Sequence, residues 1–235
     1  MIVKGMSFKE IIKECKEDYE ECMKRAAKIL YTDKNIKKFI ISIKKSCQLN
    51  KHPLKYFFKH FTLISKNKNM ALIIPCYNTE IKEIEAFMYI LYNFGSGYYA
   101  VLVEEDDYRH DSLVNRIYTP HFFDRFRERE LKNDNLSKFE VISEFSKFYC
   151  LNTYLIQTVQ LSSLDLPEDI LTKFQKYPKE GYIEPYNDTG LMIFERHDDV
   201  KTVVMKTYLS LDILKEDQKI LLKKLMAKSK KINFV

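Results

Sequence analysis

Helical spacing of apolar residues governs the start of the chain. "SFKEIIKECKEDYEECMKRAAKIL" sets Ile11, Ile12, Cys15, Tyr19, Cys22 and Met23 at that spacing, which predicts an amphipathic helix. Ser7 with Glu10 three residues on is a capping-box pattern, in which each closes the other's open backbone N–H. "TDKNIKKFIISIKKSCQL" predicts a second helix from Thr32 or Asp33, and "HPLKYFFKHF" a short third with Pro53 at its first position. The pattern then changes. "NMALIIPCY" predicts a strand ended by Pro75. "TEIKEIEAFMYILYNF" predicts an amphipathic helix stopped by "GSG" at 95–97. "YYAVLVEED" predicts a second strand, and "SLVNRIY" a third or a lead-in to the next helix. Helices are expected from Pro120 to about Arg129 and over "SKFEVISEFSKFYCLNTYLIQTVQL".

The last third reads as sheet. "GYIEPY", "GLMIFER" and "KTVVMKTYLS" are strand-like, and "HDDV" is a turn between the last two. Gly190 to Ser210 is therefore expected to be an antiparallel hairpin, with a closing helix from near Asp212. The expected class is α+β: N-terminal helices, a mostly antiparallel sheet packed against helices, and a C-terminal helix. Residues 1–60 form the helical region and 61–235 the α+β domain, expected to pack together as one compact unit.

Composition narrows the setting. Apolar residues make up 46% of the 235, enough for a sizeable core, and 5 Gly with 6 Pro leave little room for a long flexible linker. No apolar run approaches a bilayer span and no signal-peptide core is visible, so no membrane is expected. The 5 cysteines are scattered and odd in number, which suits reduced thiols in the cytoplasm. Cys15 and Cys22, two turns apart on one helix face, read as small core residues. The formal charge of +6 is compatible with RNA, but Lys-rich composition also has that effect without any nucleic-acid partner.

The densest stretch is "RIYTPHFFDRFRERE", Arg116 to Glu130. Thr119 suits an N-cap and Pro120 the first helical position. At about 100° per residue, His121, Arg125 and Glu128 fall on one side, and Phe122, Phe123 and Phe126 on the other. The bland reading is a core-facing helix whose mixed charges make ordinary intrahelical pairs. The chemical reading is a site: a neutral histidine as general base, and arginines to hold a phosphodiester. RNA brings its own nucleophile, so neither metal nor cofactor is required.

A His-x-x-x-Arg-x-x-x-Arg helix followed by a hairpin carrying Lys-Thr-Tyr resembles the barnase/colicin-D/RelE-like ribonuclease superfamily of toxin type. The resemblance covers the second half of the chain and departs from the pattern at Phe122 and Glu130, where a small residue and a glycine are usual. It implies a metal-independent, RNA-cleaving or RNA-binding protein. His121, Arg125, Arg129 and Tyr208 match its catalytic positions, and Lys201, Lys206 and Thr207 would bind substrate. The alternative is a non-enzymatic module that binds a protein partner, or a silent relative of the same fold.

Two further clusters have simpler readings. The acids of "VEEDDYRHD" sit at a strand end, where carboxylates can hold a metal, but an acidic solvated turn explains them equally. Glu195, His197, Asp198 and Asp199 lie in or beside the hairpin turn, and Glu195 is placed to share a side with Lys206. No Gly-rich phosphate loop or Gly-x-Ser-x-Gly nucleophile motif occurs.

Overall fold

The computed structural model describes residues 1–46, 55–95, 97–103, 115–151, 167–168, 181–186 and 190–232. Two units divide the chain: Met1–Gly95 with Ala100–Val103, and Ser96–Tyr99 with Glu104–Val235. Helices come first, the strands are mostly antiparallel, and a helix closes the order, so the chain is α+β as expected.

In the first unit, α1 (Phe8–Thr32) is capped by the expected box: Ser7 N–H donates to Glu10 Oε2 at 2.7 Å and Glu10 N–H to Ser7 Oγ at 3.4 Å. Its inner line runs Ile11, Cys15, Asp18, Cys22, Ala26, Leu30 and packs on β3 (Met70–Asn78) and β4 (Glu83–Asn93). Cys15 and Cys22 are fully buried, as their spacing implied; burial pushes the Cys22 thiol up to about 12. Cys47 lies outside the described residues. Asp33 starts α2 (Lys34–Ser46) by accepting the N–H groups of Asn35 and Ile36.

Three expectations fail here. Residues 79–94 do not form a helix: Thr79–Lys82 turn, and β4 pairs antiparallel with β3 from Asn78↔Glu83 to Met70↔Leu91. Met88 to Leu91 are all buried, so both faces of β4 are covered there. Aromatic and branched side chains suit that surface, and pairing overrides local helical periodicity. The expected third helix is also absent over its described part. Lys55–Phe57 is β1 and Phe61–Ile64 is β2, while Pro53 lies outside the described residues. A division at residue 60 would fall between β1 and β2.

Pro75 does not end β3. β1 pairs with Cys76 to Asn78 and β2 with Met70 to Ile73, so the partner edge is broken opposite Ile74 and Pro75. The Pro75 carbonyl accepts Phe58 N–H at 2.8 Å, so its missing donor would have pointed into that same break.

A polar cluster fixes the β2–β3 turn to α1. Asp18 is 1% exposed in an otherwise apolar line, and Asn69 Nδ2 donates to its Oδ2 at 2.6 Å and to Glu14 Oε1 at 2.7 Å. Asn69 N–H donates to Ser65 Oγ at 3.1 Å, and Arg25 caps the Ile64 carbonyl.

After β5 (Tyr98–Leu102), the second unit holds β6 (Asn115–Tyr118), α3 (Pro120–Phe126), a π-helical turn (Arg127–Leu131) and α4 (Lys138–Leu151). It continues with β7 (Gly181–Tyr186), β8 (Gly190–His197), β9 (Thr202–Ser210) and α5 (Glu216–Ile232). Its strands lie in the order β7-β8-β9-β6, antiparallel except that β6 runs parallel to β9. The hairpin over 190–210 is as expected, and a 3₁₀ turn at Leu211–Ile213 delays α5 to Glu216. Helical patterning beyond Leu151 falls on residues 152–161, outside those described.

An aromatic core joins these elements. Phe122, Phe126, Tyr118, Phe145 and Tyr208 are each fully buried. Phe145 of α4 meets Tyr118, Phe122 and Phe126 at centroid distances of 5.1 to 5.2 Å, and Phe126 meets Tyr208 at 5.3 Å. Edge-to-face rings at this spacing add about 0.5–1.5 kcal/mol per pair beyond burial.

Candidate functional site

The helix that carries His121, Arg125 and Arg129 is set against β9 from its first residue. β6 runs beside β9 from Asn115↔Thr202 to Tyr118↔Met205. The next residue, Thr119, donates through N–H to the Met205 carbonyl at 3.2 Å and through its hydroxyl to the Met205 and Lys206 carbonyls. The same Oγ1 accepts Phe122 N–H at 3.2 Å, which caps α3 with Pro120 in its first turn. Phe122, Phe123 and Phe126 then face the core and His121 faces solvent, as the periodicity required.

The helix does not stay α-helical to Arg129. After Phe126 the backbone opens into a π turn, closed by Lys132 N–H donating to the Arg127 carbonyl at 2.8 Å. Lys132 caps it in the left-handed region at φ 49°. A π turn takes more residues per turn than an α turn, so residues beyond Phe126 leave the line extrapolated from His121. Arg129 swings toward the sheet, where its guanidinium donates a hydrogen bond to the Tyr208 carbonyl. Burial lowers the Arg129 pKa, and the Arg125 charge adds to this. Arg125 instead pairs with Glu128 at 2.6 Å, and this hydrogen bond holds the Glu128 carboxyl below its ordinary value.

Tyr208 is part of the core. Its hydroxyl donates to Glu130 Oε2 at 2.6 Å, and its ring lies over Gly190. A Cβ on Gly190 would come within 2.7 Å of that hydroxyl and 2.3 Å of the Leu209 carbonyl, so only glycine fits there.

A β-bulge separates the hairpin residues. Phe194 pairs with Met205 but Ile193 with Thr207, so Lys206 is an extra residue with no opposite number. Met205 and Tyr208 pair with Phe194 and Met192, which are two apart, and therefore share the face toward α3. Thr207 pairs with Ile193 and takes the other face, with Glu195 and His197. Lys206 reaches the same side, where its ammonium pairs with Glu195 Oε2 at 2.8 Å. His197 Nε2 lies 3.4 Å from Glu195 Oε1. The Lys206 hydrogen bond, with the charges of Lys206 and His197, keeps the Glu195 carboxyl below its ordinary value.

The expected site residues therefore fall into three places. His121, Arg125 and Arg129 share one helix with its π turn, and Tyr208 joins Arg129 through its carbonyl. Lys206 and Thr207 belong with Glu195 across the sheet. Lys201 is at the far end of β9, in the left-handed region at φ 45°, with its carbonyl accepting Asn115 N–H at 2.9 Å.

No known protein family, curated protein or solved structure matches the chain.

Among the described residues, no group of three or more His, Cys, Asp or Glu side chains is placed to hold a metal ion. The acidic run Glu104–Asp107, with His110 and Asp111, lies outside those residues. No described helix is long and apolar enough to cross a membrane. Sequence reading missed Glu130 as the Tyr208 partner, and a bulge at Lys206 leaves no mark in the residue pattern.

Proposed function

We propose that this chain is a non-enzymatic protein-interaction module, and that its His/Arg/Arg helix is a structural brace on the hairpin. One observation carries this reading: apart from His121, the groups placed on this helix and on Tyr208 to bind and cleave RNA already have partners within the chain. Arg129 holds the Tyr208 carbonyl, the Tyr208 hydroxyl is given to Glu130, and Arg125 is paired with Glu128. A phosphodiester site needs guanidinium and hydroxyl groups free to meet the phosphate. Buried thiols at Cys15, Cys22 and Cys76 fit a reducing setting, which we take to be the cytoplasm.

A second reading, a metal-independent ribonuclease of the toxin type, keeps one support. His121 is exposed, and Arg125, one turn on, is only half-buried. The two readings part in one assay: total RNA incubated in EDTA with wild type and His121→Ala. The interaction reading expects no cleavage by either protein. Cleavage by wild type that His121→Ala abolishes would overturn it and establish the ribonuclease.

A further inference from the structure

The first unit carries an apolar groove that the described residues leave unfilled. It has a volume of about 480 Å³ and runs between α2, the end of α1 and the start of β4. Leu30, Ile40, Tyr77 and Ile84 line it, and at its margin Ile41 is 54% and Tyr31 59% exposed. Such large apolar side chains left in water next to a concave apolar surface mark a place where another chain packs.

Charge says what kind of chain. α2, "KNIKKFIISIKKS", has five lysines and no acid. Lys37 and Lys44 of α2 line the groove, with Lys82 from the turn before β4 and a single carboxylate, Glu83. Among the described residues, none of these three lysines has an ion-pair partner, whereas Lys55, Lys147 and Lys206 elsewhere do. Lys44 lies 6.0 Å above the Tyr77 ring, directed over the groove wall. Lys82 is held in the left-handed region at φ 60°, a conformation that disfavours a side chain and that a glycine would take without strain.

We propose that this groove docks an amphipathic segment of a partner protein, with its apolar face on Leu30, Ile40 and Ile84 and its Asp or Glu side chains on Lys37, Lys44 and Lys82. This rests on the interaction-module reading and names the partner's chemistry. A concave apolar floor favours a protein segment over a flat lipid surface, whose contact needs a convex amphipathic face. It also favours such a segment over single-stranded RNA, which calls for exposed aromatic platforms along a basic track.

The test uses the full chain and a fluorescein-labelled synthetic helix with leucines at i, i+3, i+4 and i+7 flanked by glutamates. Its controls are the same peptide with lysines for glutamates, and a scrambled acidic peptide. Anisotropy should rise saturably with the acidic helix alone. In Lys37→Glu/Lys44→Glu/Lys82→Glu the affinity should fall roughly tenfold or more, the worth of a few exposed ion pairs. Ile41→Asp, a single change at an exposed position, should weaken it as well. Absence of binding, equal binding of acidic and basic helices, or unchanged binding by the triple variant would overturn the proposal. So would displacement of the acidic helix by single-stranded poly(U) or by phosphatidylserine vesicles, which would assign the groove to another anion. None of these failures touches the interaction-module reading itself, which falls to His121-dependent RNA cleavage.

Discussion

Replacing Tyr208 by phenylalanine keeps the ring over Gly190 and against Phe126 but removes the hydroxyl that donates to Glu130 at 2.6 Å. A hydrogen bond to a charged acceptor contributes about 1.5–3 kcal/mol. Glu130 is only half-buried and can recover water, so the low end applies, about 1.5 kcal/mol. Glu130→Gln keeps an acceptor and loses only the charge assistance, about half of that. If the pair is a direct contact, the double variant costs less than the sum of the singles, with a coupling near 1 kcal/mol. Urea denaturation of the four proteins measures this, provided the slope with denaturant stays constant. Additive effects, or a Tyr208→Phe protein as stable as wild type, would refute the structural role assigned to Tyr208. The hydroxyl would then be free for other work.

Asn69→Ala strips the buried Asp18 carboxylate of its donor and should cost about 2–3 kcal/mol in urea unfolding, whereas Asn67→Ala in the adjacent turn should cost little. Phe145→Ala empties the centre of the aromatic core and should cost about 3–5 kcal/mol in the same assay. Gly190→Ala should displace Tyr208, seen as a shift of its ring signals by NMR together with a loss of stability. The Glu195 carboxyl titrates below its ordinary value, so its stabilisation is present above the unfolded value of about 4.3 and is lost as pH falls through the folded value. Lys206→Gln should bring the Glu195 titration, followed by carbon NMR, back up toward that ordinary value.

Residue patterns were most informative where local chemistry and tertiary packing agree. Ser7 with Glu10, Thr119 with Pro120, and the inward turn of Phe122, Phe123 and Phe126 all follow from spacing and capping, and each is present. The 190–210 hairpin and the approach of Lys206 to Glu195 were legible for the same reason. The failures share a cause: a distant partner decides. Glu83–Asn93 has enough helical spacing to read as a helix, yet nine pairs with β3 make it a strand. Asp18 looks like one more surface acid until Asn69 arrives from 51 residues away. The site was legible only as a list of residues. A π turn redirected Arg129 and a bulge sent Thr207 to the opposite face from Tyr208, and neither irregularity has a sequence signature at those positions. The two departures from the ribonuclease pattern, Phe122 and Glu130, are both used by this fold: one in the core, the other as the Tyr208 acceptor.

The bracing role proposed for the His121–Arg125–Arg129 helix excludes its binding an RNA phosphate. The direct measurement is an NMR titration of the full chain with a single-stranded RNA oligonucleotide in EDTA, read at the His121 imidazole and the Arg125 and Arg129 guanidinium N–H groups. With the helix as a brace, the Arg129 signal stays protected on the Tyr208 carbonyl and all three are unmoved at millimolar RNA. A saturable shift of His121 together with either arginine would contradict it.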